Sequence, residues 1–431
     1  MTATAGAAGR GGTGVAGADA AAGTANGRRA DLDWIRVGAF ALLVLYHVGM
    51  FYVTWDWHVK SPRASRALEP LMLATNPWRL LLLFVVSGAA TRFLADRLAP
   101  GPLARSRARR LGLPILLSML VIVPPQTWFE IHAKLGSDLS VADFWWRYVT
   151  GSGHWCPPSG CIVTPTWNHM WFVVYLLVYT LLAALLLRAR PGLAAALTRR
   201  LDALPGWAFL VLPAAVLALL RVTLAPRFGI THALVDDVYA HAMYGPAFLL
   251  GVGLARADRL RERTIHLRWV AAAVWVVACL AYGINAHLHP GGAGASEALK
   301  TAMRVVYGVE QWTAVVAVLG FAARHLTRRG PWLATLTEAV FPVYIVHQTI
   351  TIAFAVRLAP LGLPVGLEAA LLVAATFGGG WATYLAVRRI GPLRPWFGLR
   401  RQAAASGPPA PGSTTAAGSG SSARIDPSGR A

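Results

Sequence analysis

The chain has 431 residues, 56% of them hydrophobic and 14% charged, with a mean hydropathy of +0.50 and a formal net charge of +21. Soluble globular domains carry about 25% charged residues. The composition therefore excludes an ordinary soluble protein and predicts an all-α polytopic membrane protein whose core is helix packing in lipid. The basic balance does not predict nucleic-acid binding, because the arginines lie in short clusters between apolar spans, as membrane topology is encoded.

Residues 1–30 are rich in Ala and Gly and lack an apolar segment of their own. They read as a disordered tail without a cleavable signal peptide. Residues 402–431 read as a second tail, rich in Pro, Gly and Ser. Between them, residues 31–401 form one membrane domain. A bilayer needs about 20 mostly apolar helical residues. The chain offers ten such segments, at 33–54, 70–93, 111–131, 167–187, 207–224, 238–255, 268–286, 303–322, 335–357 and 365–387. Pro213 and Pro246 interrupt the fifth and sixth, which neighbouring helices can tolerate.

Basic residues mark alternate connections: Arg92 to Arg110, Arg188 to Arg200, Arg256 to Arg268, and Arg324 to Arg329. The positive-inside rule then puts both termini in the cytoplasm. The same assignment puts 132–166 outside, where Cys156 and Cys161 bracket CPPSGC and are expected to form a disulfide. Cys279 stands alone and reads as a packing residue. No metal site is expected: two cysteines make no four-ligand zinc pattern. HALVDDVYAH, with His232, Asp236, Asp237 and His241, reads first as a wet loop and helix start.

The first span reads RVGAFALLVLYH from Arg36 to His47. Steps of about 100° bring these two side chains within about 20° of one face, about 16 Å apart along the axis. Ionisable groups inside a span are costly and usually face the bundle interior or a wet cavity. In the ninth span, FPVYIVHQ puts Tyr344 and His347 on one face, three residues apart. His169, in TWNHMWFVVYLL, is a lesser polar candidate, and His58, just outside the first span, reads as solvated loop. RSRARRLGLP reads either as a topology determinant or as a phosphate clamp, since arginine grips phosphate bidentately. Ser87, followed by Gly88, reads as helix packing or substrate positioning.

DLDWIRVGAFALLVLYH, VVSGAATR, RARRLGLP, WNHMWFVVYLL, AFLLGVGLAR and FPVYIVHQ, in this order, resemble the membrane-bound acyltransferase family 3, and within it the glucan-biosynthesis protein C-like branch, whose members are associated with succinylation of periplasmic glucans. The resemblance covers roughly 31–390. It implies transfer of an acetyl or succinyl group from cytoplasmic acyl-CoA to a hydroxyl of a glycan or other cell-envelope acceptor, by a multi-pass protein of the bacterial inner membrane. It maps the Arg-ten residues-His signature onto Arg36 and His47, the Arg-x-x-Arg element onto Arg107 and Arg110, and the Ser-Gly element onto Ser87 and Gly88. Many members carry an aromatic after that Ser-Gly; Ala89 stands here. The stretch beyond 401 is too short for the additional hydrolase-like domain of some members.

Acyl transfer to a hydroxyl needs a base, and a histidine titrating near neutrality can serve as one, or as an acyl relay. His47 and Arg36 are the candidate catalytic pair, with Arg36 holding a donor phosphate or carboxyl or stabilising oxyanion charge. Arg107, Arg110, Ser87, Tyr344 and His347 are the candidate binding residues. No tightly bound cofactor is expected, acyl-CoA being a substrate. The rivals are a proton-coupled secondary transporter, for which Glu310 and Glu338 are the acidic candidates near spans, and a non-catalytic scaffold.

Overall fold

A computed structural model describes residues 29–158 and 160–401; the expected tails lie outside these residues except for Arg29 and Ala30. The chain folds as a helix bundle. The principal helices are α1 (Ala30–Tyr52), α2 (Asn76–Ala95), α3 (Pro100–Leu117), α4 (Pro124–Leu135), α5 (Val141–Thr150), α6 (Trp171–Ala189), α7 (Leu193–Ala203), α8 (Gly206–Thr223), α9 (Val238–Leu254), α10 (Asp258–Leu288), α11 (Glu297–His325), α12 (Pro331–Leu358) and α13 (Val365–Arg389). All ten expected spans are helical. Among the described residues nine helical stretches are long and apolar enough to cross a membrane, and α9, at 17 residues, is a shorter apolar tenth. Pro213 and Pro246 sit inside α8 and α9 without ending them.

Burial separates an inner ring from an outer one. The apolar window of α11 is 67% buried and that of α10 only 11%, so α11 is central and α10 faces lipid. One core cluster joins α1, α2, α6, α9, α11 and α12. Helices α2 and α9 touch backbone to backbone. A Cβ on Gly88 would lie 1.9 Å from the Phe248 carbonyl oxygen, and one on Gly251 1.9 Å from that of Val85. Without a hydrophobic force between helices in lipid, such close approach supplies the van der Waals contact that holds them. It also gives the Ser-Gly element a packing purpose.

The third span differs from its expected form. Its arginine cluster, expected in a connection, lies on α3 itself. The helix then widens into a π-turn over Ser118–Ile122 before Pro124 and Pro125. A proline has no N–H for the carbonyl four residues back, here Leu120 for Pro124. The Leu120 carbonyl instead accepts from the Trp145 indole at 2.9 Å, and that of Ile122 accepts from Thr349 Oγ1 at 2.6 Å. Segment 132–166 is also more than a loop. It carries α5, whose Phe144 and Tyr148 build a small core with Val123, Ile131 and Trp155. Cys156 and Cys161 are disulfide-bonded in it.

The end of α1 that carries His47 is tied down by the segment after it. Lys60 Nζ donates to the Met50 carbonyl at 2.5 Å, and the amides of Ser61 and Ser65 donate to Phe51 and Tyr52 at 2.9 Å each. These satisfy carbonyls that a helix end leaves without partners. Burial pushes the Lys60 ammonium down to about 8. Arg63 then reaches the buried Glu368 of α13 at 2.6 Å.

The backbone contact at Gly88 predicts a sharp contrast between two glycines. Gly88→Val should destabilise the protein by about 2 kcal/mol or more, because the obstructing atoms are backbone and cannot rotate away. Gly101→Ala, on an open face of α3 with nothing within 4 Å, should leave stability unchanged or slightly raised. Thermal unfolding in detergent, followed by circular dichroism, measures both.

Candidate active site

His47 and His347 meet in the middle of the bundle. His47 Nδ1 and His347 Nε2 are 2.7 Å apart, and the rings stack at 4.9 Å between centroids. His347 Nδ1 lies 2.5 Å from the carbonyl oxygen of Tyr344, one turn back on α12. A carbonyl only accepts, so His347 Nδ1 carries a proton and donates it. In neutral His347 the Nε2 is then the acceptor. The proton between the two rings must belong to His47 Nδ1. That leaves His47 Nε2 with a lone pair and no proton, the form a general base requires. The buried His347 thus selects the tautomer of the half-buried His47.

A polar web surrounds this pair. His169 Nε2 donates to the Ile345 carbonyl at 3.0 Å, and its Nδ1 accepts from Gln126 Nε2 at 3.3 Å. Tyr344 O–H donates to the His169 carbonyl at 2.5 Å. Gln126 Oε1 accepts from Asn168 and from Gln348, each at 3.0 Å. Gln348 Nε2 donates to His58 Nε2 at 2.9 Å, and His58 Nδ1 donates to Glu130 at 2.5 Å. Lys134 completes the row, 2.9 Å from the other Glu130 oxygen. The side-chain amides of Gln126 and Gln348 each donate twice, and together with the His47–His347 contact they tie α1, α4, α12 and the turn that leads into α6 into one register.

His47 lines a cavity of about 280 Å³ together with Tyr46, Arg79, His169, Arg221 and Tyr344. At the other end of α1 lies a wider cavity of about 1050 Å³. It is lined by Arg105, Arg109 and Arg110 of α3 and by Arg400 and Arg401. Arg36 lies at this end, 3.3 Å from Asp33 and close enough to Arg107 to repel it electrostatically. The Nε of Arg107 is buried without a partner. Aromatic rings separate the two cavities. Phe40, on the face of α1 between Arg36 and His47, packs edge-on against Tyr344 at 5.1 Å and Phe172 at 6.2 Å. Phe341 stacks on Tyr344 at 6.4 Å and touches Gly398 in the wall of the arginine-lined cavity.

The structure thus brings Tyr344, His347 and His47 together, and separately Arg36, Arg107 and Arg110. It does not bring Arg36 to His47, which a straight helix keeps about 16 Å apart. Ser87 lines neither cavity, and its carbonyl accepts from Thr91 Oγ1 at 2.9 Å. The HALVDDVYAH group is structural: Asp237 accepts from Tyr175 O–H at 2.6 Å and from the amides of Thr231 and His232, while His241 meets Tyr179 O–H at 2.8 Å. Glu338 is tied to Tyr384 and Arg394. Sequence reasoning passed over Arg79, Arg221, Gln126 and Glu130. Arg79 had a signal: it lies inside an expected span, where a charge always needs explaining.

The tautomer assignment is open to direct observation. In histidine-labelled protein in nanodiscs, nitrogen NMR should show His47 protonated at Nδ1 and bare at Nε2. In His347→Ala that preference should relax to a mixture of both tautomers.

The acyltransferase-domain family profile matches residues 29–385. Glucans biosynthesis protein C from Salmonella agona and from Salmonella enteritidis PT4 are each 23% identical over 344 residues, covering 76% of this chain and 84% of the relative. No solved structure matches significantly. The profile takes in both histidines, the arginine cluster and all ten apolar helices but the last few residues of α13, and on that ground the chain belongs to the acyltransferase 3 family and is a multi-pass membrane acyltransferase.

Proposed function

We propose that the protein moves an acyl group from acyl-CoA, bound at the arginine-lined cavity, to a hydroxyl of a glycan or other cell-envelope acceptor at His47. The observation that carries this reading is the 2.7 Å contact of His47 Nδ1 with His347 Nε2, with His347 Nδ1 facing the Tyr344 carbonyl, from which the tautomer of His47 follows. Its bare Nε2 takes the proton of the acceptor hydroxyl as the oxygen forms a bond to the thioester carbonyl carbon. The C–S bond then breaks, and the coenzyme A thiolate takes the proton from the His47 imidazolium. The histidine returns to its starting form, so the cycle consumes no other reactant. The hydrogen bond from His47 Nδ1 to His347 supports the transient imidazolium.

Separation of the arginines from the histidine fits a long donor. Arg110 lines the wider cavity, with Arg107 and Arg36 close beside it; phosphates held at this end leave about 16 Å for the thioester arm to cover. It would pass the rings of Phe40, Phe341 and Tyr344, which flank the gap. Arg36 on this reading grips the donor and does not touch the reacting carbonyl. The family relatives are named for glucan biosynthesis, which makes a glucan the first acceptor to try. The proton-coupled transporter finds less support: Glu338 is engaged by Arg394, Glu310 is buried in α11 outside the lining of the His47 cavity, and no carboxylate among the described residues lines that cavity.

His47→Ala should lower acceptor-dependent coenzyme A release by about 10² to 10⁴-fold with the fold preserved, the range for loss of a general base. Arg107→Gln should act mainly by raising the KM for acyl-CoA. Release assays with acetyl-CoA and succinyl-CoA in nanodiscs, over a panel of glucans, check both; unchanged release in His47→Ala would sink the mechanism.

On the same reading both termini and the mouth of the wider cavity face the cytoplasm and the protein sits in a bacterial inner membrane; the clustering of arginines in alternate connections supports this orientation. The disulfide of segment 132–166 then faces the oxidising side. Membrane-impermeant maleimide added to intact spheroplasts should label Cys156 and Cys161 after reduction and not before. Labelling only after lysis would reverse the orientation.

A further inference from the structure

Two arginines in the His47 cavity have no part in the proton transfer. Arg79 of α2 is only 3% exposed. Its guanidinium carbon lies 3.4 Å from the centroid of the Tyr46 ring, yet Nε and Nη1 are buried with no hydrogen-bond partner. Arg221 of α8 lies across the same cavity, 4.0 Å from the centroid of Tyr307. The salt bridges of the described arginines involve neither residue. The other titratable groups lining the cavity are phenols and imidazoles: Tyr46, Tyr239, Tyr244, Tyr307, Tyr344, His47, His169 and His232. None of these carries the negative charge that a buried guanidinium calls for.

A charge inside a membrane bundle without a counter-charge is costly. An aromatic ring compensates one face of a guanidinium. It cannot accept the N–H bonds in the guanidinium plane, which match a carboxylate or phosphate. The cavity, about 280 Å³, has room for such a group.

We infer that Arg79, with Arg221 opposite, forms an anion subsite beside His47 that takes a carboxylate or phosphate carried by the reacting partners. This rests on the acyl-transfer reading of the same cavity and narrows it: one substrate bears negative charge close to the bond being made. That charge comes either from the free carboxylate of a dicarboxylic acyl group on the donor or from an anionic acceptor.

Coenzyme A release in nanodiscs distinguishes these sources. Acetyl-CoA and succinyl-CoA are each paired with a neutral glucan and with a phosphate-bearing glucan. Wild type should prefer a charged partner, and Arg79→Gln should reduce the charged-over-neutral ratio of kcat/KM by about tenfold or more, the scale of a charge-assisted hydrogen bond. Arg79→Lys should recover part of it, and Arg221→Gln should lose a smaller part. Loss confined to succinyl-CoA assigns the subsite to the donor; loss confined to the phosphate-bearing glucan assigns it to the acceptor. An unchanged ratio in folded Arg79→Gln and Arg221→Gln overturns the subsite.

A second readout needs no turnover. Succinate or inorganic phosphate should raise the thermal unfolding temperature of the detergent-solubilised wild type above a chloride control of equal ionic strength, and should not do so for Arg79→Gln or Arg79→Lys to the same extent. Anion-dependent stabilisation without coenzyme A release from any pair would keep the subsite and remove the acyl-transfer reading. If wild type gains no stability from either anion and shows no preference for a charged partner, the subsite is wrong.

Discussion

The Nδ1–H of His347 has one place to go, the carbonyl of Tyr344 one turn earlier on its own helix. Because that carbonyl can only accept, the whole proton order of the site follows from it. His347 Nε2 must accept, His47 Nδ1 must donate, and His47 Nε2 must be bare. Among the described residues no carboxylate hydrogen-bonds to His47 or His347, as an aspartate does to the histidine of a hydrolase triad. A helix backbone oriented by its own fold takes that part. Such an orienter has no net charge, which suits a place where each buried charge is costly.

That order depends on α1 and α12 staying in register, and several unrelated devices serve it. The Gly88 and Gly251 contact locks α2 to α9. The hydrogen bonds from residues 60–65 fasten the end of α1 that carries His47. The π-turn before Pro124 turns α4 so that Gln126 faces His169 and Gln348, while Thr349 of α12 takes up the Ile122 carbonyl. Proline and the widened turn would leave carbonyls without partners in lipid; here those carbonyls become the points where other helices attach.

The fold was legible from the sequence because lipid imposes one dominant rule, that a spanning segment be long, apolar and helical. All ten segments emerge from that rule. It says nothing about segments outside the lipid, and so α5 and its small aromatic core were read as loop. Charges within spans singled out Arg36, His47 and His347, each costly where it sits. Their grouping was not legible. Helical periodicity put Arg36 and His47 on one face, and the same 1.5 Å rise keeps them at opposite ends of it. His169 and His58 looked ordinary because their partners, Ile345 and Glu130, are distant in sequence. Arg79 was overlooked although the cost of its charge matched that of Arg36.

The two arginine groups differ in a way that explains their separate positions. Arg105, Arg109 and Arg110 border a wide opening at one end of the bundle, where water screens their mutual repulsion and a multiply charged ligand can enter and leave. Arg79 is enclosed among aromatic rings, where little water reaches it and its charge acts at close to full strength on whatever shares the cavity. On the proposed mechanism His47, which lines the same cavity, becomes cationic as it takes the hydroxyl proton. A lone Arg79 charge would oppose that step. At the inferred subsite, an anion bound beside Arg79 would reverse the sign, offsetting the guanidinium and favouring the imidazolium. Binding a charged partner and preparing the base are then one electrostatic event, and a site built this way works best when its cavity is filled.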